Sequence, residues 1–132
     1  MSTHLRYIIL AAFALSAFGC TNELEGSLTV DGEPFELSSC RSGEIYGFVG
    51  VEFVSAADAR LRLGMSPTGE SIAFYLPAGS QTGDEIGKCG GLTVNQQNST
   101  INDVRNVEGS ANLDCSGAGH TVQGTVRFKN CH

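Results

Sequence analysis

The chain has 132 residues, with fourteen acidic and eight basic side chains, a formal charge of −6 and no tryptophan. That acid excess disfavours nucleic acid and anionic lipid headgroups as partners, since both repel a negative surface. From Cys40 onward the cysteine spacings are 49, 26 and 16, without a CxxC pair or a matching histidine pair, which argues against zinc; no metal and no cofactor is expected.

The first uncharged stretch runs from Tyr7 to Gly19, thirteen residues, whereas a membrane-spanning helix needs about 20. Arg6 precedes it, Tyr7–Phe13 is its apolar centre, and small residues stand at its end, the layout of a secretory signal peptide. The closing four residues, Ala17-Phe18-Gly19-Cys20, resemble the lipobox of bacterial lipoproteins. Ala17 stands where Leu is commonest in that motif, and Phe18 is bulkier than usual. The resemblance implies cleavage before Cys20, diacylglycerol on its thiol and acylation of the new amine. Two or more acyl chains make a stable anchor where one is marginal. Thr21 follows in place of the Asp that commonly retains such proteins at the inner membrane, which implies the outer membrane, on its periplasmic or surface face. The alternative is an ordinary signal peptide and a soluble secreted β-domain, ligand-binding or inhibitory, without lipid.

On this reading residues 1–19 are removed, residues 20–25 are a lipidated cysteine and acidic tether, and residues 26–132 form one β-domain. Loss of Arg6 alone among the charged residues leaves the mature chain near −7. A domain of this size can bury its own core. No segment keeps a 3.6-residue apolar period over a helix length, and period-two stretches are cut by Gly, Asn, Asp and Pro. The expectation is an all-β protein: an antiparallel sandwich or sandwich-like sheet of about 7–9 strands, stapled by two disulfides.

In chain order, Asp31-Gly32 predicts a type I′ hairpin pairing Leu28 with Phe35, with Cys40 just past its second strand. Glu44–Val54 predicts a central strand, with Ile45, Gly47, Val49, Val51 and Phe53 on one face and Tyr46 and Phe48 on the other. Ser55–Asp58 carries a helix-capping pattern, but the Arg60-Leu61-Arg62-Leu63 alternation argues for a strand. Ser66–Gly69 turns into a strand at Ser71–Leu76, and Pro77–Gly91 predicts the longest loop.

The last forty residues predict three strands, Leu92–Ile101, Val104–Cys115 and His120–Asn130, joined by turns at Asn102-Asp103 and Ser116–Gly119. Centring those turns sets Leu92 beside Leu113 and Val122, Val94 beside Ala111 and Gly124, Gln96 beside Gly109 and Val126, and Asn98 beside Val107 and Phe128, as a core face. The opposite, wet face carries Thr93, Asn95, Gln97, Asn106, Glu108, Ser110, Asn112, Gln123, Thr125, Arg127 and Lys129. Glu108 should face Arg127 as a cross-strand pair.

The same register speaks to the disulfides. Cys115 lies beside a turn while Cys131 ends the departing strand, roughly 35 Å away, beyond the roughly 7 Å that a disulfide spans. Cys115 comes near Cys89 across the Asn102-Asp103 hairpin, so Cys89–Cys115 is favoured and Cys40–Cys131 follows by elimination. Setting Cys20 aside leaves these four, an even number for an exported domain. Cys20, Val30-Asp31-Gly32, Cys40 and the final strand Val126–Cys131 resemble, as an order of features, the small lipoprotein antigens of mycobacteria; Cys89 and Cys115 are additions to that pattern. The resemblance implies a compact sandwich-like domain without catalysis and the same Cys40–Cys131 bond.

No catalytic constellation is legible. Ser39 and Ser42 lack a GxSxG frame, Asp84-Glu85 lacks a calcium-loop frame, and Gly90-Gly91 leads to a strand where a phosphate cradle needs a helix. His120 falls at a turn, where an exposed side chain is expected. The chain therefore reads as a non-enzymatic envelope lipoprotein, a binding or structural module. Asn95, Gln97, Glu108, Asn112, Gln123 and Arg127 form its candidate polar binding face for an envelope protein or a glycan. Tyr46, Phe48, Phe74 and Tyr75 are the next candidates for a surface patch.

Overall fold

The computed structural model describes residues 21–132, so the segment expected to be a signal peptide, and Cys20, lie outside the described residues. Nine strands form one antiparallel sheet: β1 Glu23–Val30, β2 Glu33–Phe35, β3 Leu37–Ser42, β4 Gly50–Ser55, β5 Arg60–Met65, β6 Glu70–Leu76, β7 Asp84–Ile101, β8 Val104–Gly117 and β9 His120–Cys131. Their order across the sheet is β2-β1-β9-β8-β7-β6-β5-β4-β3. The sheet curls until its two edges meet, so the sandwich-like antiparallel sheet of about 7–9 strands that the sequence predicts is a nearly closed barrel made from one sheet.

The interior is the alternating apolar set of every strand. Leu28, Val51, Phe53, Leu61, Leu63, Leu113, Val122 and Val126 are buried to 2% exposure or less. Each such side chain contributes roughly 1.5–3 kcal/mol by leaving water. Phe53 of β4 meets Phe128 of β9 edge to face, with ring centroids 5.6 Å apart, across the barrel interior.

The seam lies where β3 comes beside β1 and β9 without a ladder. Two devices close it. The disulfide Cys40–Cys131 spans it with a Cα–Cα distance of 4.9 Å. Beside it, the Asn22 side chain donates to the carbonyl of Asn130 at 2.7 Å and accepts from the Cys40 N–H at 3.0 Å. Residues expected as a tether are therefore structural: Asn22 is fastened, and Glu23, Leu24 and Glu25 pair with Lys129, Phe128 and Arg127.

The second disulfide, Cys89–Cys115, joins β7 to β8 with Cα atoms 4.6 Å apart, so both bonds are those the sequence favours. The Asp31-Gly32 hairpin also stands as expected, with Leu28 opposite Phe35 and positive φ at both turn residues. Cys40, however, lies inside β3: the chain leaves β1 after Phe35 and pairs onward with β4.

Two predicted segments differ more. Glu44–Val54 is a strand only from Gly50. Before it, Gly43–Tyr46 is a 3₁₀ turn, capped by the Ser42 hydroxyl and closed by Gly47 at φ 76°. Ile45 and Val49, placed on a buried face by alternation, are 57% and 65% exposed. Conversely, only residues 77–83 of the expected long loop are irregular. Asp84 onward is β7, because Ile86 and Cys89 enter the core while Gly87 and Gly90, at φ 103° and 108°, absorb the irregular register with β6.

Candidate functional site

The expected polar face lies on the outer wall of β1, β9, β8 and β7, displaced by two residues in register. The β8–β9 turn is the tight pair Ala118-Gly119, so Leu113 faces Gly124 and Ala111 faces Val126. Between β7 and β8 an irregularity after Gln96 sets Leu92 beside Ala111 and Gln96 beside Val107. A shift of two keeps each side chain on its face, which is why the wet face survives. Its pairings change: Arg127 faces Ser110 and Glu25, while Glu108 faces Asn95, so the expected Glu108–Arg127 cross-strand pair is absent. Asn106 leaves the face altogether. It is fully buried opposite the irregular stretch of β7 between Gln96 and Thr100, with its Nδ2 donating to the Ser99 hydroxyl and its Oδ1 unpartnered.

A shallow hollow of about 460 Å³ opens on this wall, among Glu23, Glu25, Asn95, Glu108, Arg127 and Lys129. Three of the six candidate residues, Asn95, Glu108 and Arg127, line it. Gln97 does not: it is locked to Asn130, donating to its Oδ1 at 3.0 Å and accepting from its N–H at 2.9 Å. Asn112 and Gln123 are exposed farther along the wall, within reach of Thr125 and Asp114 respectively, each at 3.4 Å. The hollow presents three carboxylates and two cations, suited to hydrogen-bonding a polar surface.

A second site is built by the 3₁₀ turn, which throws Tyr46 and Phe48 over the outside of β4 and β5. Their rings lie nearly parallel, 6.2 Å apart, and the Arg62 guanidinium carbon stands 5.1 Å from each centroid. Arg62 directs Nε and Nη2 to Glu52 Oε2 at 3.1 and 2.9 Å. Glu52 is fully buried; its other oxygen has no hydrogen-bond partner, with Arg41 Nη1 at 3.6 Å. Arg41 Nη1 donates in turn to the Tyr46 hydroxyl at 2.8 Å. Tyr46, Phe48, Arg62, Gly64 and Phe74 enclose a cleft of about 230 Å³. Of the aromatic candidates from the sequence, Tyr46, Phe48 and Phe74 meet here, whereas Tyr75 lies elsewhere. The overlooked signal was a serine cap with bracketing glycines, Ser42-Gly43 and Gly47, which ends the alternation before Gly50.

The third cluster joins the far ends of three strands. His120 Nδ1 lies 2.8 Å from Asp31 Oδ2 and its Nε2 lies 3.3 Å from Asp84 Oδ2, while Asp31 Oδ1 accepts from the Thr121 N–H at 2.9 Å. The ring packs edge-on against Tyr75 at 4.8 Å, and only 18% of the side chain is exposed, which corrects the expectation of an exposed turn histidine. The hydrogen bond that His120 donates to Asp31 raises the His120 pKa above its ordinary value; partial burial opposes this and Asp84 adds to it. Asp31 is lowered, first by His120 and then by the Thr121 amide. These contacts tie the β1–β2 turn to the starts of β7 and β9 as a clasp. Among the described residues no group of three or more His, Cys, Asp or Glu side chains is arranged to hold a metal ion.

Comparison with protein-family models, with curated proteins and with solved structures finds no match to this chain.

Proposed function

We propose that the chain is a membrane-anchored envelope lipoprotein whose barrel is a non-enzymatic binding or structural module. The sulfur count carries this reading. Of five cysteines, four pair within the barrel, and the remaining one, Cys20, stands at the end of the lipobox-like segment. Two disulfides suit an oxidising compartment outside the cytoplasm. The hollow around Glu108 and Arg127 is the surface offered to an envelope protein or a glycan.

Expression in a bacterial host with and without globomycin, beside a Cys20→Ser variant, tests the anchor. The expected result is accumulation of the uncut precursor in both treatments, larger than the mature form by the leader, with the acyl mass on the wild-type N-terminal peptide. Unchanged size in both treatments, or a mature N-terminus bearing a free thiol, refutes it and favours the soluble secreted form.

A further inference from the structure

The large exposed apolar side chains found among the described residues are Ile45, Tyr46, Val49 and Met65, exposed by 57, 41, 65 and 36%. They form one rim. Val49 and Met65 are neighbours, the Met65 N–H donating to the Val49 carbonyl at 2.8 Å, and Ile45 and Tyr46 belong to the 3₁₀ turn just before. The strand directions put this rim at a definite end of the barrel. β3 runs into it and β4 runs out of it; β1 starts, and β7 and β9 finish, at the same end. The opposite end carries the Asp31-Gly32, Ala56–Asp58, 77–83 and Ala118-Gly119 turns, which present polar and small side chains.

That rim-bearing end is also where Cys20 would attach. Asn22 is bound to Asn130 and to Cys40, and β1 begins at the next residue. Thr21, whose carbonyl accepts from Asn130 Nδ2 at 3.4 Å, alone stands between Cys20 and Asn22. Two residue steps reach at most about 7 Å, comparable with the roughly 5–8 Å of one headgroup layer. β3 then continues two residues past Cys40 before the 3₁₀ turn, so the rim extends outward from the level at which Asn22 is held. An anchor this short leaves no room to hold that end away from the bilayer.

We infer that the rim of Ile45, Tyr46, Val49 and Met65 seats in the interfacial layer of the membrane that holds the acyl chains, so that the barrel stands end-on with its polar turns outward. This rests on the lipid-anchor reading above. The chemistry fits: aliphatic side chains enter the acyl boundary, while a tyrosine keeps its hydroxyl at headgroup level, here beside Arg41. The other turns at this end, Ser66–Gly69 and Asn102-Asp103, are polar, so the barrel leans onto its β3–β5 side. Insertion is apolar in origin and needs no anionic lipid, in keeping with the acidic chain.

The absence of native tryptophan makes the test direct. Full-length acylated Val49→Trp and Ile45→Trp proteins, with Thr82→Trp as the distal control, are reconstituted in vesicles of phosphatidylcholine alone. The expected result is blue-shifted emission from both rim tryptophans. Lipids brominated near the headgroup should quench them at least about twofold more than Thr82→Trp, the depth of an interfacial element. Rim tryptophans as wet as Thr82→Trp, on protein that carries its acyl mass and floats with the vesicles, overturn the inference and leave the anchor standing. A blue shift that tracks protein concentration and ignores the brominated lipid assigns the rim to a second copy and also overturns it. Absence of the acyl mass overturns the anchor, and the inference with it.

Discussion

The His120 ring, held between Asp31 and Asp84, couples stability to pH. Because its pKa is raised in the folded state, its contribution is complete below the ordinary value of 6.5 and disappears as pH rises through the folded value. Asp31 is lowered, so its contribution is complete above its ordinary 3.8 and is lost as pH falls through the folded value. The clasp is therefore strongest between those two ordinary values. An NMR titration should place the His120 midpoint above 6.5. In urea unfolding, the stability lost by His120→Gln should be larger at about pH 5.5 than at about pH 8.5; an equal loss at both would remove the clasp from the account. Glu52 shows the same dependence on neighbours. A carboxylate without water needs partners, and Arg62 with Arg41 supplies them from the flanking strands. Nothing local to Glu52 names its partners: Arg62 comes from β5 and Arg41 from β3, beneath the Tyr46 and Phe48 rings that the 3₁₀ turn positions.

At the scale of elements, the turns decided the register. Asp31-Gly32 was legible because both residues tolerate positive φ. Ala118-Gly119 was not, since alanine at φ 52° is unfavourable by itself; the hairpin imposes that conformation, and the strands slide two residues from the expected pairing. Ala118→Gly should relieve the strain and raise the unfolding free energy by about 0.5–1 kcal/mol, measured by urea denaturation. A loss of stability would mean that the turn is less strained than its dihedral angle indicates. The bulges on β7 follow similar logic. Their glycines look like loop residues in a linear reading, yet Cys89 and Ile86 need the core and Cys115 needs Cys89, so the ladder bends to satisfy them. The burial of Asn106 has no local signal, because it depends on the irregular stretch of β7 after Gln96 that brings Ser99 against it.

For the whole molecule, the seam is the decisive feature. A nine-stranded sheet has two edges, and an open edge invites pairing with another chain. Here β2 is only three residues long and contains Pro34, and β3 is tied across the gap by Cys40–Cys131 and Asn22. The two disulfides close loops of very different length, with sequence separations of 91 and 26. Chain-entropy arguments give about 4.6 kcal/mol for the first and about 3.5 for the second. Urea unfolding of Cys40→Ala/Cys131→Ala should therefore show the larger loss than Cys89→Ala/Cys115→Ala. The opposite order would indicate that Asn22 and the core hold the seam without the bond.

Read alone, the sequence determined the all-β class, the wet wall of β7–β9, the first hairpin and both cysteine pairings, because period-two alternation, turn chemistry and strand length are local and survive a register error of two residues. Tertiary structure alone decided that the sheet closes on itself, that residues 22–25 belong to the fold, that His120 is clasped and Glu52 partnered by Arg62 and Arg41, and that the exposed apolar side chains share an end with Asn22. Each of these depends on which distant strands become neighbours when the sheet curls, and a pattern confined to one strand carries no record of what will lie across the seam.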